Sequence, residues 1–247
     1  MVTIKTPEEI KIIAEGGKIL ASVLKELEKM VKPGVTTLEL DKATEALILS
    51  AGGKPAFKGY AGFPYSLCAS VNENIVHGFP SGYVLKEGDI IKLDLGVLYK
   101  GFNTDMASTV AVGKVPFEVK RLMDVTKKSL RLGIKKAKVG NTIGDIGNTI
   151  QRFVEDQGFG VVRDLCGHGI GKEVHEDPKI PNFGKRGTGE KLVEGMVICI
   201  EPMVTIGDYN LRKSDDGYGY ATKDNSLSAH FEHTIAITEK GPKILTE

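Results

Sequence analysis

The feature that most constrains this chain is one pattern that occurs twice at a fixed spacing. Thr6-Pro7-Glu8-Glu9 has the T-x-x-E form in which a Thr hydroxyl and a Glu carboxylate reciprocally cap a helix start, with Pro in the first turn. Apolar residues follow at Ile10, Ile13, Leu20, Leu24 and Leu27, one face of a helix that runs to about Lys32, before Pro33-Gly34. A second box, Thr36-Thr37-Leu38-Glu39, opens a helix that uses Ala43 and Leu47 and ends at Gly52-Gly53. Pro116 starts a third, through Leu122, Val125 and Ile134 to Gly140, and Thr142-Ile143-Gly144-Asp145 opens a fourth, through Ile146, Ile150 and Phe153 to Gly158. Gly34 and Gly140, Thr36 and Thr142, and Gly52 and Gly158 each stand 106 residues apart. Farther on, the stretch from Glu87 to Asp94 matches the stretch from Glu194 to Glu201 at an offset of 107, and an acid closes both. This register predicts an α+β chain of two related halves, about 1–115 and 116–247. They pack around a pseudo-twofold axis as one domain, since no Pro/Gly/Ser-rich linker separates them.

Composition narrows the class. Hydrophobic residues at 41% and charged residues at 26% exclude disordered and collagen-like chains, and a net charge of +1 gives no bulk field for nucleic acid or an anionic membrane. Charged residues from Lys5 to Lys18 interrupt any secretory apolar region, and no run of eighteen apolar residues occurs. The expected compartment is the cytosol. Cys68, Cys166 and Cys199 are odd in number and widely spaced, which fits reduced thiols rather than a disulfide framework.

The chemistry lies in the acids. Asp94 falls on a strand over 89–98 and Asp105 on the next, joined at a two-residue turn, Lys100-Gly101. That turn pairs residues whose numbers sum to 201. Asp94 then faces Ala107, and Asp105 is its diagonal neighbour on the same face, roughly 7–8 Å away. A solvated strand face is the plain alternative, because Lys92 and Asp94 alternate with Ile91, Leu93 and Leu95. The second half resists it: residues 196–200 are continuously apolar, as in a doubly buried strand, and Glu201 ends them. Glu232 is expected on a strand over 226–238, with His230 on its own face and Phe231 and His233 on the other. If symmetry brings these strands together, Asp94, Asp105, Glu201 and Glu232 converge, and their repulsion calls for cations. His168, among the glycines of Cys166-Gly167-His168-Gly169-Ile170-Gly171, would add an imidazole. One imidazole with four carboxylates suits Mn, Fe, Co or Zn. A Cys166–His168 hydrolase is the other reading, and it leaves four acids unexplained.

These residues, with Val76-His77-Gly78, His175-Glu176-Asp177-Pro178 and Phe231-Glu232-His233-Thr234, make the chain resemble the type I methionine aminopeptidases of bacteria over nearly its whole length, without an N-terminal extension. Type II members carry a helical insertion between the last two glutamates, and here Glu201 and Glu232 are 31 residues apart. The resemblance implies a single catalytic domain over 1–247 with the pita-bread fold, and two divalent metal ions. Asp94 and Asp105 would ligate one ion, Asp105 and Glu232 would bridge, and His168 with Glu201 would complete the other. Glu201 would also shuttle the proton, while His77 and His175 would contact the substrate carbonyl and amide.

The implied methionine pocket is Phe57, Tyr60, Phe63, Cys68, Val174 and Tyr218. It departs from the commonest family pattern, which has cysteine at position 57, tyrosine at 63, phenylalanine at 174 and tryptophan at 218. A monovalent cation is implied at carbonyls near Asn72, Asn74 and Ser228. The implied substrate is the initiator methionine of nascent polypeptides, before a small second residue, with the ribosome as a partner and the chain a cytoplasmic monomer. Its own start, Met1-Val2, is compatible with such processing. Two alternatives stay open: an Xaa-Pro aminopeptidase or prolidase, which usually carries a large N-terminal domain, and a metal-free binding relative, which should have lost ligands.

Overall fold

The structure is a computed structural model and describes residues 2–247; Met1 lies outside the described residues. Four helices occur where the capping signals predict them: α1 (Pro7–Met30), α2 (Thr37–Ser50), α3 (Phe117–Lys136) and α4 (Ile143–Asp156). The reciprocal boxes form at Thr6/Glu9, Thr36/Glu39 and Thr142/Asp145, each contributing about 1 kcal/mol to its helix start. Helix α1 buries Ile13, Leu20, Val23, Leu24 and Leu27. A Cβ on Gly17 would collide with the Leu245 backbone, so glycine here lets the C-terminal segment lie directly on the helix.

The strands Ile90–Tyr99 and Phe102–Ala111 form a long antiparallel hairpin in the predicted register, Asp94 opposite Ala107 and Gly96 opposite Asp105. On its other edge the first strand pairs with Lys54–Pro55 and with Cys68–Val71, which sets Cys68 opposite Asp94. A second antiparallel sheet runs Gly241–Ile244, His233–Thr238, Val197–Ile200, Cys166–Gly169 and Glu176–Pro181 in spatial order. One apolar core gathers α1 and α2 side chains with Leu93, Leu95 and Val97; another gathers α3 and α4 with Ile198, Ile200 and Ile235.

One alternative is excluded and one expectation is corrected. The strand Ile90–Tyr99 has no solvated face, because every residue from Ile90 to Gly96 is buried, Lys92 included. Nor is 226–238 one strand. Ser228–His230 pairs with Met203–Thr205, whereas His233–Thr238 pairs with Val197–Ile200, and the chain changes sheets at Phe231-Glu232. At that break Glu232 N donates to Ala107 O across the hairpin, so the backbone group that leaves one ladder is satisfied by another.

Candidate metal centre

Two threonines join the hairpin to the chain around Glu232. Thr109 Oγ1 donates to His230 O and accepts from His230 N, at 2.7 and 2.9 Å. Thr234 Oγ1 treats Asp105 the same way, donating to its carbonyl and accepting from its N–H at 2.8 and 2.9 Å. These clamps fix Asp105 and Glu232 from opposite sides, where no sheet ladder connects them. Glu201 follows directly on the buried strand Val197–Ile200. His168 lies within Cys166–Gly169, where a Cβ on Gly167 or Gly169 would strike the neighbouring backbone.

All five expected ligands line one cavity of about 290 Å³. His168 Nδ1 is 2.8 Å from Gly169 O, and since a carbonyl only accepts, Nδ1 carries the proton. The bare lone pair of Nε2 therefore points at Asp105 Oδ2, Glu201 Oε1 and Glu232 Oε1, 3.9, 3.8 and 3.9 Å away. Acceptor faces acceptor, at distances too long for hydrogen bonds. Asp94 Oδ1, Asp105 Oδ1 and Glu232 Oε1 are buried without any hydrogen-bond partner. Burial pushes Asp94 up to about 7 and Glu201 up to about 8. It lifts Asp105 and Glu232 well above the carboxylate range, with repulsion from Asp94 and Glu201 adding to both. Burial also holds His168 down to about 3, neutral and able to ligate. Such a set, orphaned and hard to ionise on its own, fits divalent cations between the oxygens and the imidazole.

His230, which the sequence reading did not choose, belongs to the same cluster, with Nε2 3.3 Å from Glu201 Oε2 and 3.9 Å from Glu232 Oε2. Neither ring nitrogen has a hydrogen-bond partner. A second histidine flanking Glu232 was the available signal. Cys199 lies beneath Asp105 and Glu232, but burial and those acids push its thiol far up, so it stays protonated and apolar.

His77 and His175 stand at the rim. His77 has φ +60, a left-handed conformation that costs a residue of this kind on the order of 1–3 kcal/mol. Gly78, bonded to Ala69 and to Ser70 Oγ, holds it there. His175 Nδ1 lies 3.0 Å from Tyr60 Oη, and its ring is 4.3 Å from that of His168. Its loop is tied by Asn103, which donates to Gly171 O and Lys172 O, and by a buried Lys5–Glu176 pair at 2.5 Å.

Opposite the acids, the cavity is lined by Phe57, Tyr60, Phe63, Cys68 and Tyr218, with Val174 packed behind them. Phe79 and Tyr65, not singled out by sequence, complete this wall: Phe79 stacks on Tyr218 at 4.9 Å and meets Phe63 and Tyr65 at 5.5 Å. The residues expected to cradle a monovalent ion do not fit one. Lys92 Nζ itself donates to Asn72 O at 2.6 Å and to Ser228 O at 3.1 Å, while Asn74 O accepts from Ser228 Oγ at 3.4 Å. Burial brings this amine down to about 7.

A mixed fold holding a carboxylate-rich, histidine-bearing centre beside an apolar cleft defines a metal-dependent hydrolase. Residues 11–239 match metallopeptidase family M24, and the chain belongs to that family. It is 50% identical over 246 residues to a methionine aminopeptidase of Clostridium perfringens, covering 100% of this chain and 99% of that one. It superposes with a TM-score of 0.98 on the crystal structure of methionine aminopeptidase from Thermotoga maritima, 46% identical, covering all of both chains. The prolidase of Pyrococcus furiosus shares the pita-bread fold at a TM-score of 0.80 and 27% identity, but this chain spans only 65% of it. Among the described residues no helix is long and apolar enough to cross a membrane.

Proposed function

We propose that this metallopeptidase removes N-terminal methionine from polypeptides whose second residue is small. The observation that carries the reading is the aromatic cleft of Phe57, Phe63 and Tyr218, closed behind and opening directly onto the carboxylate cluster. An unbranched apolar side chain seated there leaves its own carbonyl at the acids, and bulk on the next residue would meet the rim.

Asp94, Asp105, His168, Glu201 and Glu232, whose oxygens and imidazole face one cavity, would together hold two divalent ions. When bound, two ions of the Mn, Fe, Co or Zn kind supply Lewis acidity and lower the pKa of water. Glu201, at the end of its strand and facing the cavity, takes a proton from the attacking water and returns it to the departing amine as the C–N bond breaks. His175 donates to the scissile amide, and His77 to the carbonyl. Burial keeps both imidazoles below their usual pKa, His77 at about 4, so they act as neutral donors at pH 7.

The whole chain, 1–247, acts as one catalytic domain. Helix α3 carries seven Lys and Arg against two acids in a protein of net charge +1, which supports docking on the ribosome by a cytoplasmic monomer. Co-sedimentation that salt does not weaken would exclude that contact. The main test compares release from Met-Ala-Ser, Leu-Ala-Ser and Ala-Pro-Ala with each metal added to chelated protein. Preferential release of Met is expected; equal release of Met and Leu, or cleavage of Ala-Pro-Ala alone, would refute the assignment.

A further inference from the structure

Among the described residues Lys92 is the one lysine with no exposure to solvent, and it lies on a site-bearing strand. It lies on the strand Ile90–Tyr99, on the same face as Asp94 by strand alternation. Its amine reaches two backbone carbonyls from segments far apart in sequence. Asn72 O belongs to the turn that leads into Asn74–Val76 and so to His77. Ser228 O begins the short strand that leads to His230 and Glu232. Around the same point Ser228 N and Ser228 Oγ also donate to Asn72 O. Asn72 is held in a left-handed conformation, φ +52, with its amide oxygen accepting from Ile90 N and its amide nitrogen donating to Asp89. The turn is therefore built to aim its carbonyl inward.

Converging carbonyl oxygens in a closed interior need a donor or a cation. The geometry points to Lys92 as that group: its tethered amine fills the carbonyl cradle between Asn72 and Ser228, in place of a free monovalent ion, and positions the segments that carry His77, His230 and Glu232. The hydrogen bonds and the steric exclusion of an ion hold whether the amine is charged or neutral. A tethered donor cannot dissociate, so the arrangement of the site should be indifferent to the monovalent salt around it. Lys92 touches neither substrate nor metal ligands in this arrangement; it is a positioning residue.

The activity arm of the test rests on the aminopeptidase reading, whereas the unfolding arm does not. Purified holoenzyme, with divalent metal held constant and saturating, is assayed on Met-Ala-Ser in choline, sodium and potassium chloride at equal ionic strength, and its unfolding midpoint is measured in the same buffers. For the wild type, kcat/KM should agree within about twofold across the salts, and the midpoint should not move. Lys92→Ser opens the cradle to an ion. In choline it should lose roughly 10–100-fold in activity, the range for removing a support behind a metal site. Sodium or potassium should restore most of that loss and raise the midpoint with concentration. Lys92→Met, which fills the space without a donor, should lose activity and recover in no salt.

A wild type whose activity or midpoint climbs severalfold, or by several degrees, on adding sodium or potassium would overturn the inference without any variant. So would a Lys92→Ser protein fully active in choline, or one restored by neither ion. If no peptide is cleaved under any condition, the aminopeptidase reading fails, and the salt dependence of the midpoint still decides the role of Lys92.

Discussion

The acidic wall of the cavity is carried by paired strands and the residues at their ends, whereas the aromatic wall facing it is carried largely by connections. Asp94 and Asp105 sit inside a hairpin of two ten-residue strands, and Glu201 and Glu232 each abut a strand that is paired on both sides. Phe57, Tyr60 and Phe63 come from a segment that turns at Gly59, Ala61 and Gly62, all at positive φ. Tyr218 comes from a loop organised by Asp216, which accepts from Ser214 Oγ and from the N–H groups of Phe79, Tyr218 and Gly219. On the proposed function, chemistry is thus held by backbone tied to paired strands, and selectivity by backbone in turns and loops. Substitutions on the two walls should separate in what they change.

The largest effect belongs to Asp105 and Glu232. Asp105→Ala or Glu232→Ala would remove one of the proposed metal ligands from the centre of the acid cluster, so activity should fall by ~10³-fold or more together with metal content. His168→Ala should cost less and recover partly at high metal concentration. Elemental analysis beside steady-state kinetics reads both. A metal-free protein turning over at full rate would break the dinuclear reading.

His175 tests the boundary between the walls, since it touches Tyr60 on one side and the His168 ring on the other. An interaction that strengthens only in the transition state appears in kcat, and losing one such donor costs roughly 10²–10³. His175→Ala should therefore keep both metals and its KM while kcat falls by that factor. Loss of metal from His175→Ala with retention in His168→Ala would reverse the two roles.

The same division decides how far the sequence could be read. The three capping boxes, Pro116 and the turn at Lys100-Gly101 act over a few residues, so the four helices and the hairpin register follow from local chemistry. Asp94 and Asp105 share a face because a pleat has period two. What the sequence hides is long-range. The change of sheet at Phe231-Glu232 has no glycine or proline to mark it and depends on Ala107 O and the threonine clamps, more than a hundred residues away. Lys92 reads as a solvated lysine because its carbonyl partners belong to other segments. Phe79 and Tyr65 join the aromatic wall through ring contacts that no spacing rule encodes.

Removing the metals should expose a pH dependence confined to the acidic wall. Asp94 and Glu201 have folded pKa values of about 7 and about 8, above their unfolded values, so their contribution is complete at low pH and is lost as pH rises toward 7 and 8. The buried histidines run the opposite way: His168 at about 3 and His230 at about 4 contribute fully above pH 6.5 and lose it as pH falls. The two trends oppose each other below 6.5; above it the carboxylates remain, opposed by Lys92, whose amine, brought down to about 7, gains stability as pH rises past that value but is outnumbered by the acids. The metal-free midpoint should thus fall between pH 6.5 and 8, by about 1.4 kcal/mol per pH unit for each net proton, or several degrees. Saturating metal should flatten that slope. A metal-free midpoint that rose over this interval would mean the four acids are not held together as described.

The smallest effect, and the sharpest test of separability, lies in the cleft. Phe63 is buried and meets Tyr65, Phe79 and Tyr218 at ring distances of 5.5–6.0 Å, while its backbone bonds to Gly59 and Tyr60 within its own turn. Phe63→Ala removes apolar contact from the rings around it and, on the proposed function, from the methionine side chain of the substrate. Since one methylene in an apolar pocket is worth ~10–200-fold in discrimination, the ratio of kcat/KM for Met-Ala-Ser over Leu-Ala-Ser should drop by about tenfold, mostly through KM. Metal content and kcat on Met-Ala-Ser should hold. If Phe63→Ala instead lowered kcat and metal content while leaving the Met-to-Leu ratio intact, the aromatic wall would be a support for the metal centre, and the side chain of the first residue would have to be read elsewhere.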